Sequence, residues 1–295
     1  MDRSKNALHL IVCALLSAWI GAQPAHAAYV RPITDRAKVQ LNGPWKFIAS
    51  NTITGAQATT YPDSSWKSVS VPHTWDSVNA VTEHTHSWYR THFAIPSVDA
   101  GKRIYVYFEG AFQVADVYVN GQHLGQHRGG YTRFIFDATS AIEVGDDNVL
   151  AVKVSNADCS DCLPDGSPRL FKGYGGLYRK VWIIKTNKYH VATTDYASSG
   201  VYITPSNVSA AAPSVSIKTL VTNDDTVGKT FTVRNFLTDE NENILLSLQK
   251  SVVVAAKTTV AVTQSGTMSS PQLWSKSNPY PCGEHVRARP GQREP

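Results

Sequence analysis

Four side chains between positions 75 and 88 carry groups that could hold a sugar. Trp75 and Trp88 flank the polar segment DSVNAVTEHTH. An exposed indole face stacks on a sugar ring, whereas a buried one is ordinary core, and both readings stand for this pair. Within the segment, Asp76 and Asn79 offer a carboxylate and an amide to sugar hydroxyls, although the same residue types also close Asx-turns on their own backbone. Trp45 and Trp66 sit beside apolar strand residues and are expected in the core.

The remaining reactive groups suit structural roles better. Cys159 and Cys162 form a C-x-x-C in NADCSDCLPDG, a stretch rich in Asp, Pro and Gly. A redox pair of thioredoxin type would need a helix starting at the first cysteine, and zinc would need two further ligands at comparable spacing. A local disulfide is therefore the expected state, with no metal and no cofactor. His123 and His127 stand four apart, which makes a metal pair only on a helix, and His123 follows a hairpin turn; His84 and His86 alternate beside Glu83. These histidines read as solvated or edge groups. Arg90 and Arg179 each follow a tyrosine at a strand start, where a guanidinium knits strands together through carbonyls or a carboxylate. Glu242, in the polar stretch TDENENILL, is expected at a hairpin tip.

Strands must position these groups. In RIYVYFEG, Ile104, Val106 and Phe108 share one face and Tyr105 and Tyr107 the other, the period of a half-buried strand. In VADVYVNGQHLG, Ala115, Val117 and Val119 oppose Asp116 and Tyr118, and the run ends at Asn120-Gly121, a strong hairpin signal. NVLAVKV and KVWIIK repeat the pattern, and no segment after the first 27 residues carries a capped helical stripe. The expectation is an all-β chain: a jelly-roll sandwich over 28–188, then short strands suited to an immunoglobulin-like sandwich over 189–275. The final stretch PCGEHVRARPGQREP holds three Pro, two Gly and three Arg. Residues 276–295 are thus expected to be disordered, leaving the second sandwich without its last strand, as after a change of reading frame near Pro281.

Arg3 and Lys5, the apolar run from Leu8 to about Ala22, and Ala25-His26-Ala27 follow the order of a secretory signal. Cleavage is expected after Ala27, giving a periplasmic or secreted product. The apolar run falls short of the roughly 20 residues that span a bilayer, so no membrane attachment is expected after cleavage. The net charge of +5 falls to +2 over residues 28–275. Without basic runs, that balance gives no electrostatic case for nucleic acid.

Six stretches occur in a familiar order: LNGPWKF (41–47), SVPHTWD (70–76), SWYRTHFAIP (87–96), VYFEGAFQVADVYVNGQHLGQHRGGYTRFIFDAT (106–139), NVLAVKVSN (148–156) and GGLYRKVWI (175–183). Together they resemble the front of glycoside hydrolase family 2, the family of β-galactosidases, β-glucuronidases and β-mannosidases. The resemblance implies a galactose-binding-like jelly roll followed by an immunoglobulin-like domain, with a galactoside-like carbohydrate as partner. It also implies a loop that helps to close the active site, where Asp76 and Asn79 are the polar candidates. A family contact from an acidic residue before GGLYR is not carried over, because Leu170 and Phe171 stand in that stretch.

Retaining enzymes of this kind need two carboxyls about 5–5.5 Å apart. In the family these are glutamates on a TIM barrel of about 250 residues, for which two β domains leave no room. The chain is therefore expected to be the non-catalytic front of a β-galactosidase-like enzyme, with no catalytic residue of its own. The alternative is a free-standing carbohydrate-binding module, and homo-oligomerisation is left open for the full-length parent.

Overall fold

The structure is a computed structural model. It describes residues 36–290 apart from 42, 76–85, 158, 164–174, 209–211, 269–270, 278 and 280–282, and for 283–290 it describes the backbone alone. The described residues form strands, turns and a single 3-10 turn at Ser97–Asp99, with no α-helix.

The first ten strands build a two-sheet sandwich. They are β1 (Ala37–Gln40), β2 (Trp45–Ala49), β3 (Lys67–Val69), β4 (His86–Ala94), β5 (Arg103–Phe108), β6 (Val114–Val119), β7 (Gln122–Arg128), β8 (Phe134–Asp137), β9 (Asp147–Ser155) and β10 (Val181–Thr186). Six join in the order β3-β2-β4-β9-β6-β7 and four in the order β1-β10-β5-β8. The alternation read from the sequence explains the layering. Ile104, Val106 and Phe108 of β5 point inward with Val181 and Ile183 of β10, and meet Val117, Val119, Leu150, Val152 and Val154 of the other sheet. Each such fully buried side chain contributes about 1.5–3 kcal/mol of transfer free energy. Asn120 and Gly121 take φ of 48° and 82° in the β6–β7 hairpin, a backbone these two residue types tolerate.

The outer face of the six-stranded sheet is covered as well. Ala56, Trp66, Trp88 and Ala151 form a second apolar cluster, with Tyr61 and Tyr118 packed against it. Arg90, only 1% exposed, ties this cover down. Its Nε donates to Asp63 Oδ2 at 2.7 Å, and its terminal nitrogens donate to the carbonyls of Ala56, Ala58 and Thr59. The guanidinium thus knits a covering loop to β4, the structural role read from its place after Tyr89.

The chain then enters a second two-sheet unit. Its strands are β11 (Tyr189–Val191), β12 (Val201–Ser206), β13 (Ser214–Asn223), β14 (Lys229–Thr238), β15 (Ile244–Val254), β16 (Thr258–Thr267) and β17 (Gly283–Pro290). One sheet orders β11-β13-β12 with β16 on the other edge of β13; the second orders β15-β14-β17. Val221, Phe231, Val233, Val254 and Val262 fill the space between them. Glu242 lies at the tip of the β14–β15 hairpin with φ 63°, its N–H donating to the Asp239 carbonyl at 3.1 Å.

The expectation of disorder across 276–295 is corrected by β17, which pairs antiparallel with β14 from Gly283 to Pro290. That expectation weighed the composition of a buried strand. β17 is an edge strand, and an edge needs only one row of ladder bonds, so charged residues and a terminal proline are tolerated there.

Polar contacts join the two units. Arg103 pairs with Asp137 of its own unit and lies 3.2 Å from Asp224 of the next. His190, 8% exposed, donates from Nδ1 to the Asn187 carbonyl at 3.0 Å, which leaves Nε2 to accept from the Tyr105 hydroxyl at 3.2 Å. Burial, with a smaller contribution from Arg36 against the opposing pull of Asp224, brings its pKa down to about 4.

Two outcomes follow from these buried groups. Arg90→Ala leaves Asp63 and several carbonyls without their donor, and should cost about 3–5 kcal/mol in urea unfolding. His190 binds a proton near pH 6.5 when unfolded but only near 4 when folded. Stability should therefore fall as pH drops from about 6.5 to about 4, by no more than about 1.4 kcal/mol per unit from this group, and His190→Gln should flatten that slope.

Candidate functional site

The aromatic residues flanking the polar segment do not present faces for a sugar. Trp75 is 2% exposed and Trp88 3% exposed. Trp75 stacks on Phe47 at 6.0 Å between ring centroids and lies beside Tyr89 at 6.4 Å, and an added Cβ at Gly175 would come within 2.4 Å of the indole. Trp88 lies in the apolar cluster beneath the loop that Arg90 holds, tilted against Tyr118 at 5.9 Å. Their candidacy as stacking platforms is corrected for the same reason in both cases: a flat apolar surface on a covered strand is worth more to the core than to water. Asp76 and Asn79, with Leu170 and Phe171, lie outside the described residues.

Trp75 instead anchors one end of the first sandwich. Residues 73–75 run antiparallel to 175–177, with the His73 N–H donating to the Leu177 carbonyl at 2.8 Å and the Trp75 N–H to the Gly175 carbonyl at 3.0 Å. Gly176 exchanges both backbone bonds with Phe112, at 3.0 and 3.1 Å, and its φ of 119° requires a glycine. Two residues on, the Tyr178 hydroxyl donates to the Gly130 carbonyl at 2.6 Å, and the Gly130 N–H donates to the Leu163 carbonyl at 2.8 Å. Next to Leu163, Cys159 and Cys162 form the expected disulfide, with Cα atoms 5.3 Å apart. Cys159, Asp161 and Cys162 are the group of possible metal ligands found among the described residues. With both sulfurs in the disulfide, that group has no thiolate to offer an ion.

This scaffold frames a cleft of about 720 Å³ at the β8 edge of the four-stranded sheet, with β7 of the other sheet beside it, within the range of about 300–1,000 Å³ common for ligand sites. Its floor is aromatic. His127 stacks on Phe134 at 4.1 Å, and Phe134 in turn on Phe108 at 4.6 Å. Burial lowers the His127 pKa, so that ring is neutral near pH 7 and packs as an aromatic. Tyr131, Thr132, Arg133, Arg179, Thr194 and Tyr196 form the exposed part of the lining. Glu109 is the one carboxylate among the described lining residues, and it is engaged: the Trp182 indole N–H donates to it at 2.9 Å and the Lys38 ammonium lies 3.8 Å away. Aromatic faces beside charged hydrogen-bonding groups suit a ring-shaped polyol better than an apolar ligand.

Of the lining residues, His127 stood out in the sequence as a solvated or edge histidine, and Arg179 as a strand-knitting group. Arg179 lies exposed instead, its guanidinium 5.5 Å from the ring of Tyr178. Tyr131, Arg133 and Tyr196 were missed. The available signal was an aromatic residue in a polar turn, as in GGYTR and TTDYASSG. A structural role for Trp75 makes a clear prediction: Trp75→Ala should cost about 3–5 kcal/mol in chemical unfolding, whereas a surface platform would leave stability unchanged.

Comparison with known proteins agrees with this architecture. Residues 49–187 match the model of the sugar binding domain of glycosyl hydrolases family 2. A beta-glucuronidase of Formosa agariphila is 30% identical over 84% of this chain and 27% of its own length. A beta-galactosidase of Bacteroides ovatus is 28% identical over 84% of this chain and 29% of its own. The crystal structure of a Bacteroides uniformis beta-glucuronidase superposes with a TM-score of 0.79 at 29% identity, covering 86% of this chain and 30% of that one. The chain thus spans less than a third of the length of these enzymes. Through its sugar binding domain, the chain belongs to glycosyl hydrolase family 2, of whose enzymes it represents a part.

Proposed function

We propose that this chain is the carbohydrate-binding, non-catalytic portion of a family 2 glycosidase of β-galactosidase type, with a galactoside-like ligand. One observation carries the reading. The cleft has the aromatic floor and polar rim of a sugar site, yet its lining includes a single carboxylate, Glu109, already held by Trp182 and Lys38. Glycoside hydrolysis with either stereochemical outcome generally uses a pair of carboxyl groups. A single carboxylate does not make that pair. Glu242 is no substitute, because it lies in the β14–β15 turn of the second sandwich, away from the lining of the cleft.

In this reading the second sandwich, of immunoglobulin-like type, is a spacer, and the chain works in an exported setting. The Cys159–Cys162 disulfide supports an oxidising compartment.

The test combines two assays on the purified chain. Nitrophenyl β-galactoside and β-glucuronide should show no hydrolysis above a mock purification, while the chain should be retained on immobilised galactosides. Turnover that survives Glu242→Gln and is absent from the mock preparation would overturn the non-catalytic reading. Passage through the column without retention would overturn the binding reading.

A further inference from the structure

We propose that the cleft selects carboxylated sugars, hexuronides of the galacturonide type, with Arg133 and Arg179 receiving the carboxylate and Tyr131 and Tyr196 holding the ring. This rests on the carbohydrate-binding reading above and adds the charge of the ligand to it.

The first support is the balance of charge. Arg133 and Arg179 both line the cleft and are exposed, and among the described residues neither is paired with a carboxylate. This contrasts with three other arginines of the same sandwich. Arg90 is matched by Asp63, Arg103 by Asp137 and Arg128 by Asp161. Glu109 does not compensate the two, because Lys38 and the Trp182 indole already claim it. Among the described residues, the cleft therefore presents two planar donor forks and no carboxylate that is not already engaged. That geometry rewards a carboxylate, which accepts two parallel N–H bonds from one guanidinium, more than a hydroxyl, which cannot.

The second support is the turn that carries Tyr196. Tyr196 and Ala197 have φ of 50° and 52°, a left-handed conformation that non-glycine residues rarely adopt even singly. The turn is nonetheless closely tied: the Tyr202 hydroxyl donates to Asp195, and the Ser198 N–H donates to the Asp195 carbonyl at 2.9 Å. Its product is a phenol ring 89% exposed at the edge of the cleft, opposed to the usual tendency of large aromatic groups to be covered. Strained backbone held by surrounding bonds recurs at ligand clamps. Tyr131, 46% exposed and also lining the cleft, supplies a second ring. A small inorganic anion would use the guanidiniums and leave both rings idle; a hexuronide uses both sets.

Titration calorimetry on the purified chain can separate these contributions. The probes are trigalacturonate, its methyl ester, which keeps the rings and removes the charge, a neutral galacto-oligosaccharide and inorganic phosphate. Trigalacturonate should bind about tenfold or more tighter than its ester, with added salt weakening the acid alone. Arg133→Gln and Arg179→Gln should each reduce that preference and leave ester affinity unchanged, while Tyr196→Ala should weaken acid and ester together. All three positions are exposed, and unchanged unfolding midpoints would verify that the variants fold.

Equal affinity for acid and ester, or a preference retained in both arginine variants, would overturn the charge selectivity while leaving carbohydrate binding intact. Phosphate bound as tightly as trigalacturonate would overturn the sugar component. Failure to bind any of the saccharides would overturn both this inference and the reading on which it rests.

Discussion

Trp75 packs against Gly175 at a distance that admits no side chain there, and a set of backbone pairings beside the cleft is built around that contact. With the indole in place, residues 73–75 pair with 175–177, Gly176 pairs with Phe112, and Tyr178 reaches across to Gly130. Tyr131 and Arg133 follow Gly130 closely in the chain, and Arg179 follows Tyr178 directly. The exposed groups that line the cleft thus follow closely in the chain from residues tied to this buried contact. A site so supported can keep long, solvated side chains on one rim without a cofactor or metal to organise them.

The second determinant is where the carboxylates go. In the first sandwich the acidic groups are largely employed in structure: Asp63 holds Arg90, Asp99 is buried between Lys102 and Lys185, and Asp116 accepts from Gln126. Competition between its two lysines and burial leaves the Asp99 carboxyl below its ordinary pKa. Glu109 follows the same rule at the edge of the cleft. In the proposed reading, acidic groups engaged in internal contacts leave the cleft to a polyhydroxylated or anionic ring, without the opposed pair of carboxyls that glycoside hydrolysis generally uses.

Much of the fold was legible in the sequence because period-two alternation reports burial directly. The inward and outward faces of β5 and β6 and the turn at Asn120-Gly121 could be named residue by residue, as could the structural role of Arg90 and the disulfide between Cys159 and Cys162. The site was less legible. A tryptophan beside a polar segment looks the same whether a loop covers it or not, and only the folded chain shows Trp88 beneath residues 51–66 and Trp75 against a glycine. The cleft joins positions 107, 131, 179 and 196, which no local pattern relates. The strand at 283–290 escaped because composition was weighed for a buried strand, and edge strands obey looser rules.

The most direct test of the central claim is to map backbone and side-chain resonances during titration with a galacturonide. The account predicts shifts concentrated on Tyr131, Arg133, Arg179 and Tyr196, with the buried rings of Trp75 and Trp88 unmoved. Shifts confined to the second sandwich, or none at all with saccharide in large excess, would contradict it.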